Sequence, residues 1–172
     1  MAALGLLVLR LVIGLIVAAH GAQKVFGWWG GPGMTGWTGG MTRMRLRPAV
    51  AWAWASALAE LVGGLLFAIG FLSPLGSMAI AGSMFVAMAL VHWPNGFWNA
   101  KRGYEFNLSI LAAAIAAALT GPGALSLDAL FGIRPPEPIT VIVAAVLMIA
   151  GVTAALLGRA PDPAKTSQPQ TV

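Results

Sequence analysis

Four polar side chains stand in or beside the first two long apolar segments of the sequence. His20, Gln23 and Lys24 follow the spacing i, i+3 and i+4, so they share one face of a helix. Glu60 lies midway along the second apolar segment. An ionisable group in hydrocarbon is costly and typically marks a functional site with a polar or charged partner. We therefore predict that Glu60 pairs with His20 or Lys24 across a helix interface, where the carboxylate would hold or exchange a proton.

A second set of polar and aromatic residues follows the third apolar segment, in stretches 91–99 and 103–107. The order of the segments brings both stretches to the membrane face at which the first segment ends. His92 and Glu105 stand at predicted helix ends, where such side chains also bond free backbone groups, so a purely structural role is an alternative. The predicted polar pocket contains His20, Gln23, Lys24, Glu60, His92, Tyr104, Glu105 and Asn107, and its apolar wall contains Trp29, Phe97 and Trp98.

The sequence also excludes several kinds of chemistry. It has no cysteine, which removes disulfide exchange, iron–sulfur clusters and thiolate catalysis. It contains no HExxH zinc motif, no glycine-rich phosphate loop and no GxSxG nucleophile motif, and we predict no metal site. Axial haem ligation by two histidines stays open as a minor alternative. We predict no intrinsic cofactor, but a quinone is compatible, because it needs only an apolar groove with a protonatable or hydrogen-bonding group at one end.

The elements that must position these residues are membrane-spanning helices. Of the 172 residues, 59% are hydrophobic and 9% are charged, against about 25% charged residues in soluble domains. A span needs about 20 mostly apolar residues. The composition therefore predicts an all-α, polytopic helical bundle in contact with the lipid bilayer. Five spans are predicted, at residues 4–26, 49–72, 75–93, 106–120 and 139–157.

Positive charge is distributed unequally between the two ends of this bundle. Seven lysines and arginines fall on the side that holds the loop 27–48, the loop after the third span and the C-terminal tail, against one on the other side. The positive-inside rule predicts that the N-terminus faces out and the C-terminus is cytoplasmic. The cations do not cluster on one helix face with stacking aromatics, so we predict no nucleic-acid partner.

Three further segments carry expectations of their own. Loop 27–48 holds seven glycines and three tryptophans, and we expect it to be non-helical, either lying at the bilayer interface or re-entering the bundle. Arg10 lies inside the first apolar stretch, which favours a retained span over a cleaved signal peptide. We expect its side chain to snorkel to the surface. The polar, proline-containing segment 159–172 is predicted to be disordered.

Several motifs, in this order and with this spacing, resemble the DoxX family of bacterial membrane proteins. The similarity begins near residue 4 and extends to about residue 130. It is carried by LRL at 9–11, HGAQKVFGWWGGPG at 20–33, AELVGG at 59–64, HWPNGFW at 92–98, GYEFN at 103–107 and SLDAL at 126–130.

The resemblance implies a four-helix core, residues 1–130, in the bacterial inner membrane. Residues 131–158 would then add a proline-rich linker and a fifth span, followed by the tail 159–172. The family is named for its similarity to a subunit of an archaeal thiosulfate:quinone oxidoreductase, and some actinobacterial relatives are linked to thiol and oxidative stress. The resemblance therefore implies that this chain is an accessory subunit of a quinone-linked membrane oxidoreductase complex rather than an independent enzyme. The alternative is a non-catalytic assembly factor or a carrier of lipids or small molecules.

Overall fold

The chain is helical almost throughout the part that the computed structural model describes, residues 1–133 and 138–161. Four of its helices are long and apolar enough to cross a membrane, and a fifth apolar helix is shorter, which confirms an all-α polytopic bundle. The helices are α1 (Ala2–Phe26), α2 (Gly33–Arg43), α3 (Ala49–Ile69), α4 (Ser73–Ala87), α5 (Glu105–Thr120), α6 (Leu127–Leu130) and α7 (Ile139–Leu157).

Helix α4 is extended by two irregular turns. A π-helical turn at Met88–His92 and a 3-10 turn at Trp93–Asn95 prolong it into a continuous span from Ser73 to Asn95. Helix α5 has 16 residues and is therefore about 24 Å long, shorter than the roughly 30 Å hydrocarbon core. It is held by packing against α4 and, to a smaller extent, α1.

Glycines set the closest helix contact of the bundle, between antiparallel α1 and α3. A Cβ atom added to Gly21 would lie 2.3 Å from the backbone nitrogen of Leu61, and one added to Gly14 would lie 2.6 Å from that of Ala68. Glycine at these positions lets the two backbones approach closely, as small residues do at membrane helix interfaces. These contacts also fix the register of α1 against α3. In that register Lys24 lies opposite a position on α3 that is about two residues from Glu60.

The same register leaves α3 longer than α1 at one end. The first two turns of α3 project about 10 Å past Phe26, the last residue of α1. Helix α2 packs against this projecting part, with Met41 buried in a cluster that includes Leu46 and Ala53. The prediction that loop 27–48 is non-helical is thus wrong. Glycine costs a helix about 1 kcal/mol, but the burial of large side chains against α3 outweighs that preference.

Helix α4 is the centre of the remaining packing, since α3, α5 and α7 all contact it. Helix α7 lies along α4, where Met148 sits against Gly82, and it stands away from α3. Most of α7 is exposed, as expected for a helix that faces lipid. A crevice therefore remains between α3 and α7, with α4 as its floor.

The opposite end of the bundle is closed by α6 and a buried arginine. The carboxylate of Asp128 accepts hydrogen bonds from the backbone nitrogens of Leu72 and Ser73, at 2.9 and 3.0 Å, and so caps the start of α4. Arg10 is 2% exposed and donates to the carbonyl oxygen of Leu125. The snorkelling prediction is wrong because the segment carrying Leu125 and Asp128 covers the guanidinium.

Most of the predicted linker and tail lies outside the described residues, namely positions 134–137 and 162–172. The first residues of the predicted tail are bonded to the bundle. Arg159 Nε donates to the carbonyl oxygen of Met44 at 3.0 Å, and the Ala160 nitrogen donates to that of Arg45 at 2.9 Å. These bonds tie the end of α7 to the connection between α2 and α3.

Candidate functional site

A buried ion pair joins the first two spans. The Lys24 ammonium donates to Oε2 of Glu60, whose side chain is 3% exposed. The second carboxylate oxygen, Oε1, accepts a hydrogen bond of 2.7 Å from the Ser83 hydroxyl on α4. Glu60 is thus bonded by residues of α1 and α4 at once. A buried charge that is both paired and hydrogen-bonded avoids much of its desolvation penalty.

Helix α2 covers this ion pair from the side on which α1 ends. The Lys24 ammonium lies 4.2 Å from the ring centroid of Trp37, in cation–π contact. The indole Nε1 of Trp37 donates to the Ser56 hydroxyl at 2.9 Å, and that hydroxyl donates to the Ala53 carbonyl. The Trp37 ring is therefore fixed, and it limits how far Lys24 moves towards the membrane surface.

A cavity of about 210 Å³ lies against this cluster. Its walls come from α2, α3, α4 and α7, and they are apolar except at the end formed by Lys24, Glu60 and the neighbouring hydroxyls. Methionines contribute adaptable, polarisable surface to such a wall. Leu147 and Val91, at its rim, are 61% and 43% exposed, so the cavity opens at the outer surface of the bundle. Its apolar lining includes Trp37, Met41, Met44, Trp52, Met78 and Met148.

His20 does not reach this site. Its side chain is exposed, and its ring makes an edge contact with Phe106 on α5, with centroids 6.0 Å apart. The reason is angular: His20 is about 100° around the helix from Gly21, the residue that touches α3. Lys24 is about 60° away from Gly21 and has a longer side chain. Gln23 is half-buried near Gly31, and neither Gln23 nor His20 lines the cavity.

His92 in the HWPNGFW motif and Tyr104 and Glu105 in the GYEFN motif belong to a separate structure at the end of the bundle. The His92 Nδ1 is 2.8 Å from the Arg102 carbonyl, and one Glu105 carboxylate oxygen accepts from the Asn99 nitrogen at 2.9 Å. The Tyr104 ring stacks on Trp93 with centroids 5.0 Å apart. These contacts support the structural alternative for His92 and Glu105, because both side chains bond the backbone of the connection between α4 and α5.

The predicted aromatic wall also lies elsewhere. Trp29, Phe97 and Trp98 are exposed and do not line the cavity. Trp29 contacts Trp28, and Phe97 contacts Tyr104 and Trp98, so each belongs to an aromatic group at the surface. Asn107 is buried but bonds the Met84 sulfur, at 3.6 Å, away from the ion pair.

Sequence reasoning missed the two residues that complete the ion pair's surroundings. Ser83 is a single hydroxyl in an apolar segment, and such residues carry no pattern that assigns a partner. Trp37 lies in the segment predicted to be non-helical. Pro32, which precedes α2 directly, was the available signal, because proline favours the first turn of a helix.

The residues that form the ion pair lie in a part of the chain that matches a known family. The model of the DoxX family matches residues 5–93. The chain belongs to the DoxX family. The DoxX match extends from the first turn of α1 to Trp93, two residues before the end of the extended α4, and so includes Lys24, Glu60 and Ser83. It ends before the GYEFN motif, α5 and α7. No curated protein and no solved structure matches the chain.

Proposed function

We propose that this DoxX protein is a subunit of a quinone-linked redox system of the bacterial inner membrane, and that the cavity beside Glu60 receives a quinone ring. The observation that carries the proposal is an apolar cavity inside the bundle that ends at one buried ion pair. Family membership supports the membrane location, and the quinone assignment follows from how the residues present fit the group.

The polar end of the cavity offers the functions that a quinone carbonyl requires. Lys24 and Ser83 carry hydrogen-bond donors directed at the Glu60 carboxylate. A bound quinone supplies two-electron redox chemistry that consumes or releases protons. Among the described residues that line the cavity, Glu60 is the carboxylate and Lys24 the cation. Within this proposal, Lys24 donates to the ligand oxygen, and Glu60 Oε2 holds the proton that is exchanged.

The size and the opening of the cavity also fit a membrane ligand with a tail. A cavity of about 150 Å³ is sufficient for a benzene ring, so about 210 Å³ accommodates one substituted ring. The crevice between α3 and α7 leads from the cavity to the lipid-facing surface. An isoprenoid tail would leave through it without crossing the ends of the bundle, since the connection carrying Met44 and Leu46 closes the nearer end.

The proposal is tested by measuring quinone binding to the purified chain in lipid nanodiscs. The probe is a benzoquinone with a short isoprenoid tail, detected through quenching of tryptophan fluorescence. Ala59→Phe places a ring in the cavity beside Glu60 and is expected to weaken binding by tenfold or more. Ala51→Phe is the matched control, because Ala51 is exposed on the same helix and does not line the cavity. Ala55→Phe, at the rim, provides a second filling variant.

Glu60→Gln tests the proposed proton role, which retention of both quinone binding and complex activity would remove. We expect this variant to insert normally and to lose quinone binding or the activity of the complex that copurifies with it. Equal binding by wild type, Ala59→Phe and Ala55→Phe would refute the cavity as the site. Mass spectrometry of the purified protein discriminates the alternative function: bound acyl lipid, with no quinone and no redox subunits, would favour a carrier or an assembly factor.

A further inference from the structure

Helix α7 forms the outer wall of the cavity beside Glu60, and one position of that wall carries no side chain. Gly151 lines the cavity and is exposed. A Cβ atom added to it would meet no atom of another helix within 4 Å in the described part of the chain. Met148 and Val152, on the same wall, lie against Gly82 of α4. The wall therefore has a gap at Gly151, beside the residues that hold α7 on α4.

The facing edge of the crevice, on α3, is also lined by a small residue at the same depth. Gly151 lies six residues before the last residue of α7, and Ala55 lies six residues after the first residue of α3, so each is about 9 Å from its helix end. These two helix ends lie together, because Arg159 Nε donates to the carbonyl oxygen of Met44 in the connection that leads into α3. Ala55 also lines the cavity and is exposed. Gly151 and Ala55 therefore border one opening, the slot, between α3 and α7.

The volume of the cavity and the depth of Glu60 indicate what the slot would admit. A cavity of about 210 Å³ holds one ring, so a tail attached to that ring must leave the cavity. Glu60 lies about 16 Å from the start of α3, which is about 7 Å deeper than the slot. A ring bonded at the polar end therefore has the slot on its far side. The slot opens at the lipid-facing surface, where an apolar chain is favourable and a charged substituent is not.

We infer that Gly151 is the specificity-determining residue of this cavity, because its missing side chain leaves room for the apolar tail of a bound ring compound. The inference rests on the proposed function and adds the class of ligand: a ring with one narrow apolar chain, which lies between α3 and α7. A side chain at residue 151 would fill the slot and leave the ring site beside Glu60 intact. Helix α7 follows the residues that match the DoxX model, so this selectivity lies in a part of the chain beyond the match.

The test compares two quinones on the purified chain in lipid nanodiscs, one with a short isoprenoid tail and one without a tail. Quenching of tryptophan fluorescence gives the ratio of their dissociation constants. Partition of each quinone into the bilayer is the same for every variant, so it cancels when these ratios are compared. We expect Gly151→Leu to weaken binding of the tailed quinone by about tenfold and that of the tailless quinone by less than about twofold. Ala150→Leu is the matched control and should keep the wild-type ratio, because Ala150 is exposed on the same helix and does not line the cavity.

A second variant narrows the slot from the other side. Ala55→Leu should change the ratio in the same direction, and it tests the inference even if Gly151→Leu folds poorly. An unchanged ratio in both variants, or an equal loss of both quinones in Gly151→Leu, would overturn the inference. Binding of the tailless quinone by wild type would leave the ring site of the proposed function standing in either case. Failure of wild type to bind either quinone would instead refute the proposed function, and the inference with it.

Discussion

The buried ion pair makes a quantitative prediction about stability. Lys24→Met removes the cation and leaves the Glu60 carboxylate with Ser83 as its remaining hydrogen-bond donor. Glu60 lies about 16 Å from the start of α3 and is 2% exposed, so it cannot reach the membrane surface. Removing one partner of a buried pair costs about 3–5 kcal/mol. We therefore expect Lys24→Met to cost about 3 kcal/mol of unfolding free energy.

The reverse variant should be milder. Glu60→Gln leaves the Lys24 ammonium without its anion, but Lys24 keeps the Trp37 ring and lies two residues from the end of α1. Its ammonium therefore keeps one stabilising contact and its side chain is 15% exposed, so we expect a cost of about 1.5 kcal/mol, below the range for a fully buried charge. In the double variant neither charge is left unpaired. Its cost should be smaller than the sum of the two single costs by at least about 1.5 kcal/mol.

The assay is reversible unfolding in mixed micelles of increasing dodecyl sulfate fraction, followed by tryptophan fluorescence. The four proteins of the cycle are compared at one pH and lipid content. Lys101→Met serves as the control, because Lys101 is exposed in a short turn and should change stability by less than about 0.5 kcal/mol. Strict additivity of the two single variants would refute the reasoning, since it would mean that Lys24 and Glu60 do not stabilise each other.

Three further predictions concern the helix contact, the α4 cap and the orientation in the membrane. Gly21→Leu should destabilise the α1–α3 contact by more than about 3 kcal/mol in the same unfolding assay, because its Cβ would overlap α3. Gly5→Leu, which meets nothing within 4 Å, should be nearly neutral. Asp128→Ala should lower the free energy of unfolding by about 2 kcal/mol, because the cap at the start of α4 is lost. An unchanged free energy of unfolding would contradict that role. Thiol labelling of whole cells should modify Leu130→Cys from outside and Thr42→Cys only after permeabilisation, and the opposite pattern would reverse the predicted orientation.

The spans were predictable because each depends on local composition. Four apolar segments reappear as helices of at least 18 residues, and the fifth as the shorter α5. The sequence left two candidates, His20 and Lys24, for the partner of Glu60. Helical spacing places both on one face of α1, but it does not show which part of that face is turned towards α3. Gly14 and Gly21 decide it, because close backbone contact at these positions turns His20 outwards.

The structure of residues 27–48 could not be predicted from local sequence preferences. Its glycine content argues against a helix, yet α2 forms because the register of α1 against α3 leaves two turns of α3 uncovered. Burial of Met41 and the bond from Trp37 to Ser56 depend on that tertiary gap. Arg10 is a comparable case. Its covering segment follows more than 110 residues later in the chain, so no local pattern could distinguish burial from snorkelling.

The polar group around Glu60 and the polar group around His92 and Glu105 lie at the same end of the bundle but do not form one site. Topology alone brings both groups to one end of the bundle, because helices that alternate in direction deliver every second connection to the same face. It does not give their lateral positions or their depths. The group around His92 and Glu105 bonds the backbone of its own connection, whereas Glu60 is bonded across three helices at the inner end of a cavity. Substitutions at His92 or Glu105 should therefore act through the shape of the α4–α5 connection and leave the proposed quinone binding beside Glu60 largely intact. Small changes at Lys24, Ser83 or Trp37 should alter that proposed binding directly.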